Sequence, residues 1–117
     1  MSGRGAEARA RTGRLRIAAP VFAALGDVTR LRLVARLGTE GPLSIARLTA
    51  GTDVTRQAVT KHLHVLSDAG LVRDSWVGRE RVWQLDPESL RAARRSLDRI
   101  SAEWDDALGR LKAFVER

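Results

Sequence analysis

Arg56, Gln57, Thr60, Lys61 and His64 are the residues of this chain whose types and spacing suit a chemistry. All five carry hydrogen-bond donors, and no carboxylate stands anywhere between positions 54 and 67. Side chains of this kind recognise acceptors and anions: amide and guanidinium groups pair with purine edges, and cations hold phosphates. Val59, Leu63 and Leu66 recur among them at i, i+4 and i+7. That interval predicts one helix with an apolar stripe on one side and the donors on the other. An acid-free donor face suits the major groove of DNA. Gln57, Thr60 and His64 are the candidates for base edges, a glutamine matching adenine and a histidine donating to a guanine acceptor. Arg56 and Lys61 either read bases or hold phosphates, and the sequence leaves the two roles open. Thr55 precedes the stripe and is placed to cap the helix, whose exposed N-terminus itself favours a phosphate.

Other chemistries find little to work with. Cysteine is absent, which removes disulfides, thiol nucleophiles and thiolate metal sites together. The only histidines are His62 and His64. Two positions apart on a helix they diverge by roughly 200° and cannot share a metal. His62 lies beside Leu63 and Leu66 and is expected to point inward, hydrogen-bonded and partly buried. No glycine-rich phosphate loop and no pair of acids on a plausible cleft is visible, so neither an enzyme nor a cofactor is expected. No apolar run approaches the length of a membrane span. The basic N-terminus lacks the apolar core of a signal peptide, so a cytoplasmic location is expected.

The elements that must position the donor helix follow from caps and turns. Apolar residues Leu15, Ile17, Val21, Phe22 and Leu25 start a helical pattern, which either begins near Ala18 or kinks at Pro20. Asp27 is placed to cap a helix over about Val28–Leu37, whose apolar positions are Leu31, Leu33, Val34 and Leu37, closed by Gly38 and Gly41-Pro42. Leu43 is compatible with a very short strand. Ser44 is placed to cap a short helix with Ile45, Ala46 and Leu48 inside. Gly51-Thr52-Asp53 reads as a turn and Gly70 as the end of the donor helix. Leu71–Val77 and Arg81–Leu85, separated by Gly78-Arg79-Glu80, read as a hairpin whose base Trp76 and Trp83 cover. Asp86-Pro87-Glu88 has the chemistry of a helix start.

The helix that starts there carries a second pattern. Leu90, Leu97, Trp104 and Leu111 are seven apart, and so are Ala93, Ile100, Ala107 and Phe114. This a/d seam runs about four heptads. A helix from Pro87 to about Val115 is about 43 Å long, longer than a core of this chain's size, so a partner helix is the simpler way to cover it. Trp104 belongs to that seam rather than to a ligand cage. Asp98, Glu103, Asp105 and Asp106 alternate with arginines and are read as surface ion pairs.

The chain has 117 residues and a formal net charge of +7. Residues 1–16 hold five arginines and one acid. Such a charge draws polyanions by releasing their counterions, or it is simply a solvated arm. Residues 1–14 are read as a disordered basic arm, and residues 15–117 as one domain, mainly α with a small β-hairpin.

The order helix, helix, short helix, long helix, hairpin, long helix is that of a winged helix-turn-helix. Here the chain resembles the ArsR/SmtB family of bacterial transcriptional repressors. The matching residues are Phe22-Ala23-Ala24-Leu25-Gly26-Asp27-Val28-Thr29-Arg30, then Val54-Thr55-Arg56-Gln57-Ala58-Val59-Thr60-Lys61-His62-Leu63, Val65-Leu66, Ala69-Gly70-Leu71-Val72, and the wing from Gly78-Arg79-Glu80 to Trp83-Gln84-Leu85. Val28 departs from the proline usual after the capping Asp. The resemblance implies a homodimer paired through the first and last helices, with Val21, Phe22, Leu90, Leu97, Ile100, Trp104, Leu111 and Phe114 at the interface. It implies a recognition helix in each major groove of an inverted-repeat operator in double-stranded DNA, with half-sites about one helical turn apart. Arg79 and Arg81 at the wing are then placed to enter a minor groove or grip its backbone. The family's cysteine sets and its Asp/His/Glu sets on the last helix are missing. No metal site is therefore expected, and control falls to an organic small-molecule effector, a partner protein or autorepression. Two other classes compete: a sequence-nonspecific nucleoid binder and a protein-interaction module.

Overall fold

Four short polar side chains decide where helices begin. In the computed structural model, which describes residues 5, 6, 9 and 18–116, Asp27 accepts from the Arg30 N–H at 3.0 Å and Ser44 from the Arg47 N–H at 3.3 Å. Thr55 accepts from the Ala58 N–H and Asp86 from the Glu88 N–H, both at 3.1 Å. Each supplies an acceptor to an N–H that the helix leaves orphaned. The basic arm expected over residues 1–14 falls almost wholly outside the described residues, as do Leu15 and Ile17.

Residues 18–25 are helical (α1), with Pro20 inside them. Then follow α2 (Val28–Glu40), β1 (Leu43–Ser44), α3 (Ile45–Ala50), α4 (Arg56–Asp68), β2 (Val72–Val77), β3 (Glu80–Leu85) and α5 (Pro87–Val115). The strands form one antiparallel sheet in the order β1-β3-β2. Leu43 lies opposite Trp83, so the short strand extends the hairpin into three strands. The mainly α fold with a small sheet and a long last helix is the one the sequence predicts.

The donor helix is held from behind and closed at its end. Val59, Leu63 and Leu66 are wholly buried and meet Leu33, Leu37, Leu43, Leu48, Leu71 and Trp83 in one core. Fully burying each such side chain stabilises the fold by roughly 1.5–3 kcal/mol. At the C-terminus the Leu71 N–H returns to the Leu66 carbonyl at 2.9 Å and the Gly70 N–H to the Ser67 carbonyl at 2.9 Å. This pairing needs a left-handed residue at position 70, and Gly70 has φ +77°.

Several local expectations change. α2 runs three residues past Leu37, through Gly38 to Glu40, and is closed by the Gly41 N–H on the Leu37 carbonyl. Of the apolar positions of α2, Leu33 and Leu37 face the core with Val34 at the edge, while Leu31 is exposed. Ala46 is exposed and Ile45 only partly buried, leaving Leu48 as the anchor of α3. The turn of the hairpin is two residues, Gly78-Arg79, since Glu80 already belongs to β3. Gly78 takes φ +65° there, as the first position of a type II′ turn requires. Of the two wing tryptophans only Trp83 covers the hairpin base, whereas Trp76 is exposed.

α5 leaves the body early. Ala93 is its one buried residue and Leu90 packs partly against the core. Beyond them Leu97, Ile100, Trp104, Leu108, Leu111, Phe114 and Val115 are all exposed. The resulting radius of gyration is 19.0 Å, against about 13 Å for a compact chain of this length. No helix among the described residues is long and apolar enough to cross a membrane.

Candidate nucleic-acid interface

α3 and α4, joined by residues 51–55, carry the candidate face. With its stripe sunk in the core, α4 turns Arg56, Gln57, Lys61 and His64 outward, and all four are exposed. Thr60 is half-buried, and its hydroxyl donates to the Arg56 carbonyl at 2.9 Å. Thr60 therefore presents its methyl and its remaining acceptor capacity rather than a free donor. Thr55 is used as the cap, as the sequence predicts.

The back of α4 is tied to the first two helices. Arg30 Nε donates to the Ala24 carbonyl, and Arg30 Nη1 lies 3.3 Å from His62 Nδ1. A guanidinium has no acceptor, so arginine is the donor of this contact. Asp27 Oδ2 is 3.9 Å from the same Nδ1. The Arg30 N–H, with His62 and the Arg30 guanidinium behind it, holds the Asp27 carboxyl below its ordinary range. His62 is thus a partly buried, hydrogen-bonded side chain linking α2 to α4, in agreement with its sequence reading.

The wing stands beside α4. Register pairs Trp76 with Arg81 and Asp74 with Trp83, so these four share one face of the hairpin. At its inner end Trp83 is buried, with the His64 ring 6.3 Å away, centroid to centroid. Arg81 does not stand free at the tip as expected. Its Nε is 2.6 Å from Asp74 Oδ2 and its guanidinium lies 4.9 Å from the Trp83 ring centroid. The hydrogen bond from Arg81 keeps the Asp74 carboxyl below its ordinary range. Arg79 occupies the turn and is exposed.

Between wing and helices runs an open cleft of about 420 Å³, lined by Ser44, Ile45 and Ala46 of α3 and its approach, Arg56 and Thr60 of α4, and Trp76, Arg79, Glu80, Arg81 and Trp83 of the wing. It gathers four of the eight sequence-predicted DNA-contact residues: Arg56, Thr60, Arg79 and Arg81. Gln57, Lys61 and His64 lie outside it on α4. Sequence reasoning missed Trp76 as part of this face, although the alternation Trp76, Asp74 and Arg81, Trp83 placed it on the side of Trp83. It also missed the Asp74 partner of Arg81.

The expected pairing surface divides in two. Val21 is a correction: it is buried in its own subunit's core, so it has almost no surface left for a partner. Phe22 and Leu90 are partly buried against that core. Leu97, Ile100, Trp104, Leu111 and Phe114 are exposed and share one side of α5. Acids and arginines on α5 pair at its surface, Arg94 with Asp98 at 4.0 Å and Arg95 with Glu88 at 3.5 Å. Among the described residues no three His, Cys, Asp or Glu side chains converge where they could hold a metal ion.

Comparison with known proteins agrees with this layout. A family model described as a helix-turn-helix domain matches residues 25–74. The HTH-type transcriptional regulator Rv2034 of Mycobacterium tuberculosis is 47% identical over 85 residues, which cover 73% of this chain and 76% of that protein. The arsenic resistance transcriptional regulator ArsR1 of Pseudomonas putida is 32% identical over 102 residues, covering 83% of this chain and 79% of that protein. Among solved structures, an ArsR-like transcriptional regulator from Rhodococcus sp. RHA1 superposes with a TM-score of 0.76 at 39% identity, covering 87% of this chain and 95% of that one.

Proposed function

Because this chain belongs to the ArsR/SmtB family of helix-turn-helix transcriptional regulators, we propose that it acts as a homodimeric repressor reading an inverted-repeat operator. The observation that carries the reading is α4 itself: its apolar stripe is wholly buried while Arg56, Gln57, Lys61 and His64 are all exposed on a side that bears no acid before Asp68. In this reading α4 enters the major groove, Gln57 and His64 meet base edges, and Arg56 and Lys61 meet bases or phosphates. Arg79 grips the flanking backbone or minor groove. Arg81 supports the wing through Asp74 and Trp83 rather than reaching out alone.

The exposed side of α5 supplies the pairing. A second copy covers Leu97, Ile100, Trp104, Leu111 and Phe114 and brings two recognition helices to one face of the duplex, about one helical turn apart. Release from DNA is controlled without a transition metal, by an organic ligand, a partner protein or the concentration of the repressor itself. The missing cysteines and the placement of both histidines on α4 support that reading. Selection of bound duplexes from a random pool tests the proposal. Enrichment of an imperfect inverted repeat with half-site centres about 10 base pairs apart supports it. A pool that stays random through successive rounds overturns it in favour of a nonspecific binder.

A further inference from the structure

The wing carries an exposed tryptophan that the reading above does not use. Trp76 is 68% exposed, yet it lies on the same hairpin face as Trp83, which is 2% exposed. α4 covers this face at its inner end, where His64 meets Trp83, and leaves it open two residues further out. There Trp76 lines the open cleft together with Ala46, Arg56, Thr60 and Arg79. A large indole left in water at the end of a rigid hairpin is an unpartnered apolar surface. Its neighbours state the partner's charge. Arg56 and Arg79 have no carboxylate within ion-pair distance among the described residues, Arg81 is neutralised by Asp74, and Glu80 is the single unpaired acid of the cleft.

We propose that this cleft seats the sugar–phosphate backbone of one DNA strand, with the Trp76 indole packed on a deoxyribose and Arg56 and Arg79 on the adjacent phosphates. The inference rests on the DNA-reading role of α4. A helix in the major groove and a wing at the neighbouring minor groove flank a single backbone, which must pass between them. Side chains facing the gap meet sugar and phosphate, not base edges. A sugar is apolar on its ring face and the same in every nucleotide, so Trp76 adds affinity without sequence preference and without releasing counterions.

That combination gives Trp76→Ala a signature no other contact shares. Binding of the selected operator and of a shuffled duplex is measured by fluorescence anisotropy over a range of salt. Trp76→Ala weakens both by a similar factor, about tenfold, with the salt slope unchanged. Trp76→Phe retains most of the affinity. Arg79→Ala instead lowers the slope by about one. Unaltered affinity of Trp76→Ala, a changed slope, or a loss confined to the operator overturns the proposal. The side chain is already in water, so the thermal unfolding of the variant matches the wild type.

A second readout uses protein labelled with 5-fluorotryptophan. Of the three tryptophan resonances, the one missing in Trp76→Phe shifts when duplex is added. A shift with protein concentration in the absence of DNA marks a contact between copies and overturns the proposal. Wild-type protein that binds no duplex refutes the DNA-reading role itself, an outcome distinct from a normal wild type with an unaffected Trp76→Ala.

Discussion

Replacing Leu97 and Trp104 with glutamate should abolish dimers while leaving the subunit folded. The two residues sit one heptad apart on α5 and are 54% and 65% exposed in the single chain. Covering the remaining indole surface, about 130 Å² if a tryptophan presents about 200 Å², is worth about 3 kcal/mol. Covering the other half of a leucine adds about 1 kcal/mol. A two-fold axis repeats each contact, so the substitutions remove on the order of 8 kcal/mol from the pair. Even half of that raises the dissociation constant about a thousandfold. Because both side chains already face solvent, neither glutamate is buried in the subunit, and far-ultraviolet circular dichroism keeps its helical form. Sedimentation velocity at micromolar concentration then reports the wild type as a dimer and the variant as a single chain of 12.9 kDa. A variant that sediments as a dimer refutes the seam and the reasoning from exposed heptad positions with it.

Other outcomes follow from the same geometry. Gln57→Ala lowers operator affinity by about tenfold or more while sparing shuffled DNA, and equal losses on both remove its base-reading role. Leu63→Ala, at a wholly buried position, lowers unfolding stability by about 2–5 kcal/mol in urea titration, and a change near zero contradicts the packing of α4. The Asp27 and Asp74 carboxyls sit below their ordinary value of 3.8 in the folded chain. The stability they add is present above that value and is lost as pH falls through the folded-state value. The gap in melting temperature between wild type and Asp74→Asn therefore narrows as the pH falls below the ordinary carboxylate value of 3.8, and a gap independent of pH contradicts the Arg81 pairing. Zinc at micromolar concentration leaves operator affinity unchanged, whereas stoichiometric binding that releases DNA overturns the metal-free reading.

Much of the fold was legible because its signals are local. Asp27, Ser44, Thr55 and Asp86 cap helices by bonding N–H groups two or three residues away, and Gly70 ends α4 by its own backbone freedom. The stripe of α4 and the seam of α5 are periodic, so each fixes a face without knowledge of the neighbours. What escaped the sequence depends on distant partners. Leu31 has the spacing of a core residue, but it stays half exposed among the described residues. Val21, expected at the pairing surface, instead fills the subunit's own core beside Ala24. Strand alternation put Trp76 with Trp83, but not how far α4 covers their shared face. Arg81 looked free because its partner, Asp74, lies on the opposite strand. Arg30, which reaches Ala24 and His62, showed no sequence signal beyond its place in the family pattern.

The central claim is that α4 reads sequence. It is tested most directly by the affinity ratio between the selected inverted repeat and a shuffled duplex of the same composition, measured near physiological salt. A helix that reads base edges gives a preference of about a thousandfold or more. Equal affinities with the same steep salt slope contradict it, and leave the chain a carrier of positive charge rather than a reader of DNA.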